Sequence, residues 1–291
     1  MIVMGLLPAF SLPAAGPKAD RPTAPRVGIF KNPLGLRIFT LNRWEQDSWA
    51  RYGEVVWKQL PALGIGHVFM NVPAPEEVAA VQEKLAASDL KASVLRGTAE
   101  LTSEAALAGL EPQLATCRKM GVRYMFLSPK HPGADKEKVY GLLRRLGDLA
   151  KRYDVTVCLE THPDLGANAE EHLETMKRVN HPNIRVNFDT GNITFYNQGT
   201  DAVAELKRIV DYVGAVDLKD HSGKLGQWNF PPLGQGVVKF PEILRVLREH
   251  GYQGPLTIEL EGREGVSRTQ QQIEAQVDQS VRYLRSLGEF D

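Results

Sequence analysis

The chain has few cysteines and no excess of either charge, and each scarcity excludes a class of protein. Its 291 residues include two cysteines, Cys117 and Cys158, too few for a disulfide framework or a cysteine-based zinc site. Lysine plus arginine number 35, as do aspartate plus glutamate, so the formal net charge is zero. Proteins that bind nucleic acid or anionic membranes usually carry a basic excess. We therefore expect neither as a partner.

The sequence also lacks a long hydrophobic run. The apolar stretch 2–12 is broken by Pro8 and is shorter than the ~20 residues that a transmembrane helix needs. Residues 1–25 are predicted to be a disordered extension or the remnant of an export signal, with Ala14 and Ala15 near a cleavage point. The first option predicts a cytoplasmic protein, and the second an exported or periplasmic one.

Beyond residue 25 no linker or charge block divides the chain, so residues 26–291 are expected to form one domain. Apolar strand patterns alternate with amphipathic helical patterns eight times, which predicts a closed (β/α)8 TIM barrel. Segments 26–30 and 36–41 compete for the first strand, and the other segment is expected to be an extra strand at the barrel floor. The eight strands are predicted to begin near Leu36, His67, Lys91, Tyr124, Thr156, Ile184, Gly214 and Pro255.

Helical patterns separate these strands, and several carry end signals. Pro75 suits the first turn of one helix, and Gly121 suits the C-terminal end of the next. The predicted helices span 76–85, 105–120, 136–153, 169–179, 201–210, 241–250 and 270–287.

Four of the later strands end in polar residues two positions apart. Alternate residues of a strand point to the same face, so both members of each pair share a face. In a barrel whose outer face is covered by helices, that face is the interior, and the carboxyl ends of the strands form the active side. The pairs are Glu160 with His162, Asn187 with Asp189, Asp217 with Lys219, and Glu259 with Glu261.

Four carboxylates brought together this way would repel one another unless a cation holds them. An all-oxygen set favours Mg²⁺ or Mn²⁺ over Zn²⁺, and a nitrogen from His162 would move the preference toward Mn²⁺ or Co²⁺. The alternative is that some of them form buried ion pairs with Lys219, Arg185 or Arg263. The predicted metal ligands are Glu160, Asp189, Asp217 and Glu259.

Short motifs at these strand ends resemble the xylose-isomerase-like TIM-barrel superfamily, which includes sugar phosphate isomerases and epimerases. The motifs are LETH at 159–162, FDTGN at 188–192, VDLKD at 216–220, PLGQG at 232–236, GYQG at 251–254 and IELE at 258–261. The resemblance is close from about 155 to 262, and it implies that Glu160, Asp189 and Glu259 bind a metal. Most members have a histidine where this chain has Asp217, and many have one in place of Asn192.

The resemblance implies isomerisation or epimerisation of a small sugar, with one divalent metal ion stabilising an enediolate. Mn²⁺ or Mg²⁺ is the expected ion, with Co²⁺ or Zn²⁺ as alternatives. Glu160 and Glu259 would act as acid and base. Lys219 would bind a substrate oxygen or, as an equal alternative, form an ion pair with Asp189 or Asp217. The expected substrate contacts and supporting residues are His162, Asn192, Glu261 and Trp228, the last on the long loop 221–236.

Two other functions stay open, and a third is disfavoured. A keto-inositol dehydratase would need the same metal and base, and a non-catalytic sugar-binding barrel would keep the fold alone. An endonuclease IV type of repair enzyme is disfavoured, because it uses many histidines and a basic surface. The sequence leaves open which sugar binds, whether it is phosphorylated, and whether the chain forms a homo-oligomer.

Overall fold

The computed structural model describes residues 26–38 and 55–290. The predictions for residues 1–25 and 39–41 lie outside these ranges, and the domain boundaries predicted at 26 and 291 stay a prediction.

Eight parallel strands form a closed barrel, which confirms the predicted (β/α)8 TIM barrel. The barrel strands are β2 (Leu34–Ile38), β3 (His67–Asn71), β4 (Lys91–Gly97), β5 (Tyr124–Leu127), β6 (Thr156–Glu160), β7 (Ile184–Asp189), β8 (Val213–Leu218) and β10 (Leu256–Leu260). They follow one another around the barrel in the order β2 to β8, and β10 closes the ring between β8 and β2.

The competition for the first strand is resolved by pairing. Strand β2 lies in the barrel, whereas β1 (Gly28–Phe30) pairs in parallel with β12 (Gly288–Phe290) in a separate two-stranded sheet. The rings of Phe30 and Phe290 stack with centroids 4.9 Å apart, which fastens the two ends of the described chain together.

Helices cover the outside of the barrel, and their ends follow local sequence signals. Asp135 caps the helix Lys136–Arg152 by accepting hydrogen bonds from the backbone N–H groups of Glu137 and Lys138. Gly121 ends the helix Ala105–Met120 in the left-handed conformation that favours glycine. None of the helices in the described ranges is long and apolar enough to cross a membrane. The helices are α1 (Leu60–Ala62), α2 (Val78–Ala87), α3 (Ala105–Met120), α4 (Lys136–Arg152), α5 (Ala169–Val179), α6 (Thr190–Tyr196), α7 (Ala202–Ile209), α8 (Phe240–Glu249) and α9 (Gln270–Leu287).

The barrel interior has two chemically different sides. On strands β3 to β5, Phe69, Val94 and Phe126 form a small buried apolar cluster that is separate from the main core. The opposite side, built by β7, β8 and β10, carries buried carboxylates. The polar site is therefore confined to one half of the barrel by apolar packing in the other half.

Candidate active site

Three carboxylates converge at the carboxyl ends of β7, β8 and β10. Asp189, Asp217 and Glu259 are buried, and each offers an oxygen within 4.8 Å of those of the other two. Asp189 and Asp217 are register partners in neighbouring strands, which brings their side chains together on the inner face. We call these three residues the acidic triad.

Each of the two aspartates of the acidic triad uses one oxygen in hydrogen bonds that hold the protein structure. Asp189 Oδ1 accepts hydrogen bonds from the backbone N–H groups of Gly191 (2.9 Å) and Asn192 (3.0 Å), and so caps helix α6. Asp217 Oδ2 accepts a bond of 2.7 Å from the Asn187 side-chain amide. These bonds fix the orientation of the two carboxylates.

The second oxygens have fewer partners. Asp217 Oδ1 and Glu259 Oε2 are buried and receive no hydrogen bond from the described part of the chain. Asp189 Oδ2 accepts a hydrogen bond from the Lys219 ammonium at 3.3 Å. A buried carboxylate oxygen without a donor is unfavourable unless a cation approaches it.

Two basic side chains already compensate part of this charge. The Arg37 guanidinium on β2 lies 3.0 Å from Glu259 Oε1 and over the ring of Phe69, 4.5 Å from its centroid. The Lys219 ammonium lies 3.3 Å from Asp189 Oδ2 and 3.7 Å from Glu259 Oε2. The predicted alternative of buried ion pairs is therefore present for Lys219. Among the described residues, no ion pair joins the triad to Arg185 or Arg263.

Burial and mutual repulsion raise the proton affinity of most carboxyls here. Burial raises the pKa of Asp189 and of Glu261 to about 7 in each case, despite the opposing charge of Lys219. Burial and the charge of Glu259 also raise the pKa of Asp217. Burial acts on Glu259 too, but the charges of Arg37 and Lys219 outweigh it and hold the pKa of Glu259 below its usual value. Glu259 is thus the member most strongly held as a carboxylate.

Glu160 and His162 lie beside the triad on β6 and just after it. Glu160 is half-buried and is not among the residues whose oxygens converge within 4.8 Å. His162 Nδ1 lies 2.7 Å from Asp164 Oδ2, and its ring meets the ring of Tyr196 edge-on at 5.2 Å. Burial lowers the pKa of His162, but Asp164 and Glu160 have the larger combined effect and raise it.

The other predicted substrate contacts are partly engaged by the protein itself. The Asn192 side chain donates to the backbone oxygen of Thr161 at 3.0 Å and accepts from the Lys219 ammonium at 3.1 Å. Glu261 Oε2 lies 2.7 Å from the same ammonium. Trp228 is half-buried and packs edge-on against Phe230, with centroids 5.2 Å apart.

Asp220 is a structural residue of the site that the sequence pattern did not single out. Its carboxylate accepts hydrogen bonds from the backbone N–H groups of His221, Gly234, Gly236 and Val238. One buried carboxylate therefore ties both ends of the long loop after β8 to the barrel. The short strands β9 (Asn229–Phe230) and β11 (Gly262–Arg263) pair antiparallel and hold the middle of that loop.

Arg37 and Asn187 contact the acidic triad, although the sequence predicted no role for either residue. The signal for Arg37 was available, because in Leu34–Ile38 the apolar Leu34 and Leu36 alternate with Gly35 and Arg37. The same alternation that identified the acidic residues places Arg37 on the inner face. It was missed because the first strand was the most ambiguous one.

A divalent cation fits the acidic triad by the chemistry of its donors. The three residues supply oxygen only, their oxygens converge, and two of these oxygens lack a hydrogen-bond donor among the described residues. Hard oxygen ligands are those that Mg²⁺ and Mn²⁺ prefer. The charges of Arg37 and Lys219 oppose binding of a further cation without removing the ligands.

The chain belongs to the xylose isomerase-like TIM barrel family, whose sequence pattern matches residues 52–287. This confirms the family that the strand-end motifs resemble.

Two curated relatives match part of the chain. An inosose dehydratase of Clostridium tetani is 26% identical over 137 residues, covering 41% of this chain and 45% of that protein. L-ribulose-5-phosphate 3-epimerase UlaE of Salmonella typhi is 31% identical over 120 residues, covering 40% of each. The chain thus spans less than half the length of either relative.

A solved structure matches far more of the fold. The D-psicose 3-epimerase of Clostridium cellulolyticum H10, solved with D-tagatose, superimposes with a TM-score of 0.68 at 16% identity. The match covers 88% of this chain and 99% of that one. At this identity the likeness establishes the shared fold.

Proposed function

We propose that this chain is a sugar isomerase or epimerase that moves a proton at a carbon next to a carbonyl group, with the help of one divalent metal ion. The observation that carries the proposal is the convergence of Asp189, Asp217 and Glu259 at the active end of the barrel. Membership of the xylose isomerase-like family and the partial match to a sugar-phosphate epimerase support it.

Asp189, Asp217 and Glu259 would hold the ion, with Glu160 as a fourth ligand from β6. Manganese or magnesium suits these oxygen donors best, with cobalt or zinc as alternatives. When bound, the ion would supply Lewis acidity that makes the carbon acid easier to ionise.

The chain's own residues would handle the proton and the charge. Glu160 and Glu259 would act as acid and base on opposite walls of the site. The half-buried position of Glu160 leaves it accessible to a substrate. Lys219 and Arg37 bring positive charge close to the place where a substrate oxygen would become negative.

His162, Asn192 and Trp228 would contact the sugar, and Glu261 would position Lys219. Neutral, hydrogen-bonding side chains such as Asn192 suit hydroxyl groups. Trp228 belongs to an aromatic group with Phe195 and Phe230, which offers an apolar wall to one face of a sugar ring.

Dehydration of a keto-inositol is the second candidate, because one of the partial relatives is an inosose dehydratase. That reaction would begin with the same removal of a proton, after which a hydroxyl group leaves as water. The two functions therefore use the same site and differ in the fate of one intermediate.

Solvent exchange tests the proposal. The protein is purified with Mn²⁺ and incubated in D₂O with free ketoses, ketose phosphates and a keto-inositol, and the products are followed by NMR. Deuterium at the carbon next to the carbonyl supports an isomerase or epimerase, whereas loss of water supports the dehydratase. Binding without either reaction would contradict the enzymatic proposal.

A matched pair of variants assigns the reaction to the site. Glu160→Gln should lower the exchange rate by about 10²-fold or more, the usual contribution of a general acid or base. Glu174→Gln removes an exposed glutamate of α5 and should leave the rate unchanged.

A further inference from the structure

The Lys219 ammonium contacts the oxygens that a metal ion would need. It lies 3.3 Å from Asp189 Oδ2 and 3.7 Å from Glu259 Oε2, and both residues belong to the acidic triad. Asp189 Oδ1 is already used as a helix cap, so Oδ2 is the oxygen left to that residue. A divalent ion and an ammonium cannot share these oxygens without strong repulsion in a buried site.

The same ammonium has a second set of partners outside the triad. Glu261 Oε2 lies at 2.7 Å, which is the shortest of its three ion-pair distances, and Asn192 Oδ1 lies at 3.1 Å. The Lys219 side chain is flexible, and its contact with Glu261 does not depend on Asp189 or Glu259. A small movement would leave Lys219 paired with Glu261 while freeing the triad.

We propose that Lys219 is a built-in competitor of the metal ion, which neutralises the acidic triad when no ion is bound and withdraws onto Glu261 when one binds. The inference rests on the proposed function, because it takes the triad to be a metal site. It assigns Glu261 a specific task, which is to receive the ammonium that the metal displaces. Metal affinity in this chain is then set by residues that are not ligands.

Calorimetric titration of the metal-free protein with Mn²⁺ tests the competition directly. Replacing Lys219 with methionine removes the competing charge and keeps much of the side-chain volume. We expect Lys219→Met to bind Mn²⁺ about tenfold more tightly than the unmodified protein, or better. Lys239→Met serves as the control, because Lys239 is exposed and forms its ion pair with Asp201 and not with a member of the triad.

Glu261→Gln should have the opposite effect, since it removes the partner that receives the displaced ammonium. We expect about fivefold weaker Mn²⁺ binding in this variant. In the Lys219→Met background the same replacement should change the affinity much less, because no ammonium has to be accommodated. This double-mutant cycle separates the competition from the simple loss of one negative charge.

Two outcomes would overturn the inference. One is Mn²⁺ binding by Lys219→Met that is unchanged or weaker. The other is a change in Mn²⁺ affinity on Glu261→Gln that is equal in the unmodified and Lys219→Met backgrounds. If Lys219→Met is too unstable for this comparison, Lys219→Gln replaces it as the second background. These titrations are independent of turnover. Failure of the proposed function would instead show as Mn²⁺ bound by the unmodified protein without solvent exchange into any sugar.

Discussion

Arg37 and Glu259 are register partners on the first and last strands of the barrel, and their side chains form a buried ion pair with Nη1 and Oε1 3.0 Å apart. The pair therefore lies at the seam where the barrel closes. Arg37 also lies over the rings of Phe69 and Phe126 and so joins the apolar and the acidic sides of the interior.

Removing Arg37 should destabilise the protein strongly. Arg37→Met removes the nearest ion-pair partner of the buried Glu259 carboxylate, and losing one partner of a buried pair typically costs about 3–5 kcal/mol. Urea unfolding followed by circular dichroism measures the change. Arg26→Met is the matched control, because Arg26 pairs with Glu289 on the exposed surface and should leave the unfolding midpoint unchanged. Equal midpoints for all three proteins would contradict the structural role of Arg37.

The residue at position 217 should set the preference among metals. Asp217→His replaces an oxygen ligand by an imidazole nitrogen, which favours Zn²⁺ and Co²⁺ over Mg²⁺ and Mn²⁺. We expect the ratio of Zn²⁺ to Mn²⁺ affinity to rise by about tenfold or more in a competition titration. Asp211→His adds a histidine at an exposed position and serves as the control. An unchanged ratio would argue that Asp217 does not contact the ion.

Asp220 should determine whether the long loop after β8 stays in place. Asp220→Ala removes four backbone hydrogen bonds to a buried carboxylate, and a hydrogen bond to a charged group contributes about 1.5–3 kcal/mol net to stability. We expect a lower melting temperature and new protease cleavage within residues 221–238. Cleavage at the same rate and sites as in the unmodified protein would contradict this prediction.

His172 should give the protein a measurable dependence of stability on pH. Burial lowers the pKa of His172 to about 3, whereas a histidine in the unfolded chain has a pKa of about 6.5. Between these two pH values the unfolded chain therefore binds one more proton than the folded chain. The contribution of His172 to the free energy of unfolding is fully present above pH 6.5. It is lost as the pH falls, so that the free energy of unfolding decreases by about 2 kcal/mol between pH 8 and pH 5.

The comparison with His172→Gln isolates this effect from other titrating groups. Subtracting the unfolding free energies of the variant from those of the unmodified protein at each pH should leave the slope expected for one histidine. A difference that is constant from pH 8 to pH 5 would show that His172 titrates normally in the folded state.

The fold could be predicted from the sequence because its signals are local and repeated. Apolar strands and amphipathic helices alternate, and the predicted helices 105–120, 169–179 and 270–287 agree with α3, α5 and α9 to the residue. Predicted helix 201–210 begins one residue early because Asp201 is the cap of α7 and precedes its first turn.

The acidic residues of the site could be predicted for the same reason, because alternation along β7, β8 and β10 determines which side chains point inward. The residues that pair with these acidic side chains could not be predicted from the sequence. The pairing of Arg37 with Glu259 depends on how the barrel closes, and the contacts of Asp220 join loop positions about 14 to 18 residues away. Helix α6 was also missed, since seven residues after a strand give too short a pattern to show helical periodicity.

Anomalous diffraction at the manganese edge, from crystals of the protein grown or soaked with Mn²⁺, tests the metal site most directly. We expect one strong peak in contact with carboxylate oxygens of Asp189, Asp217 and Glu259, with the Lys219 ammonium moved toward Glu261. A map at saturating Mn²⁺ with no peak between these residues, and with Lys219 still on Asp189 and Glu259, would contradict a metal-dependent site.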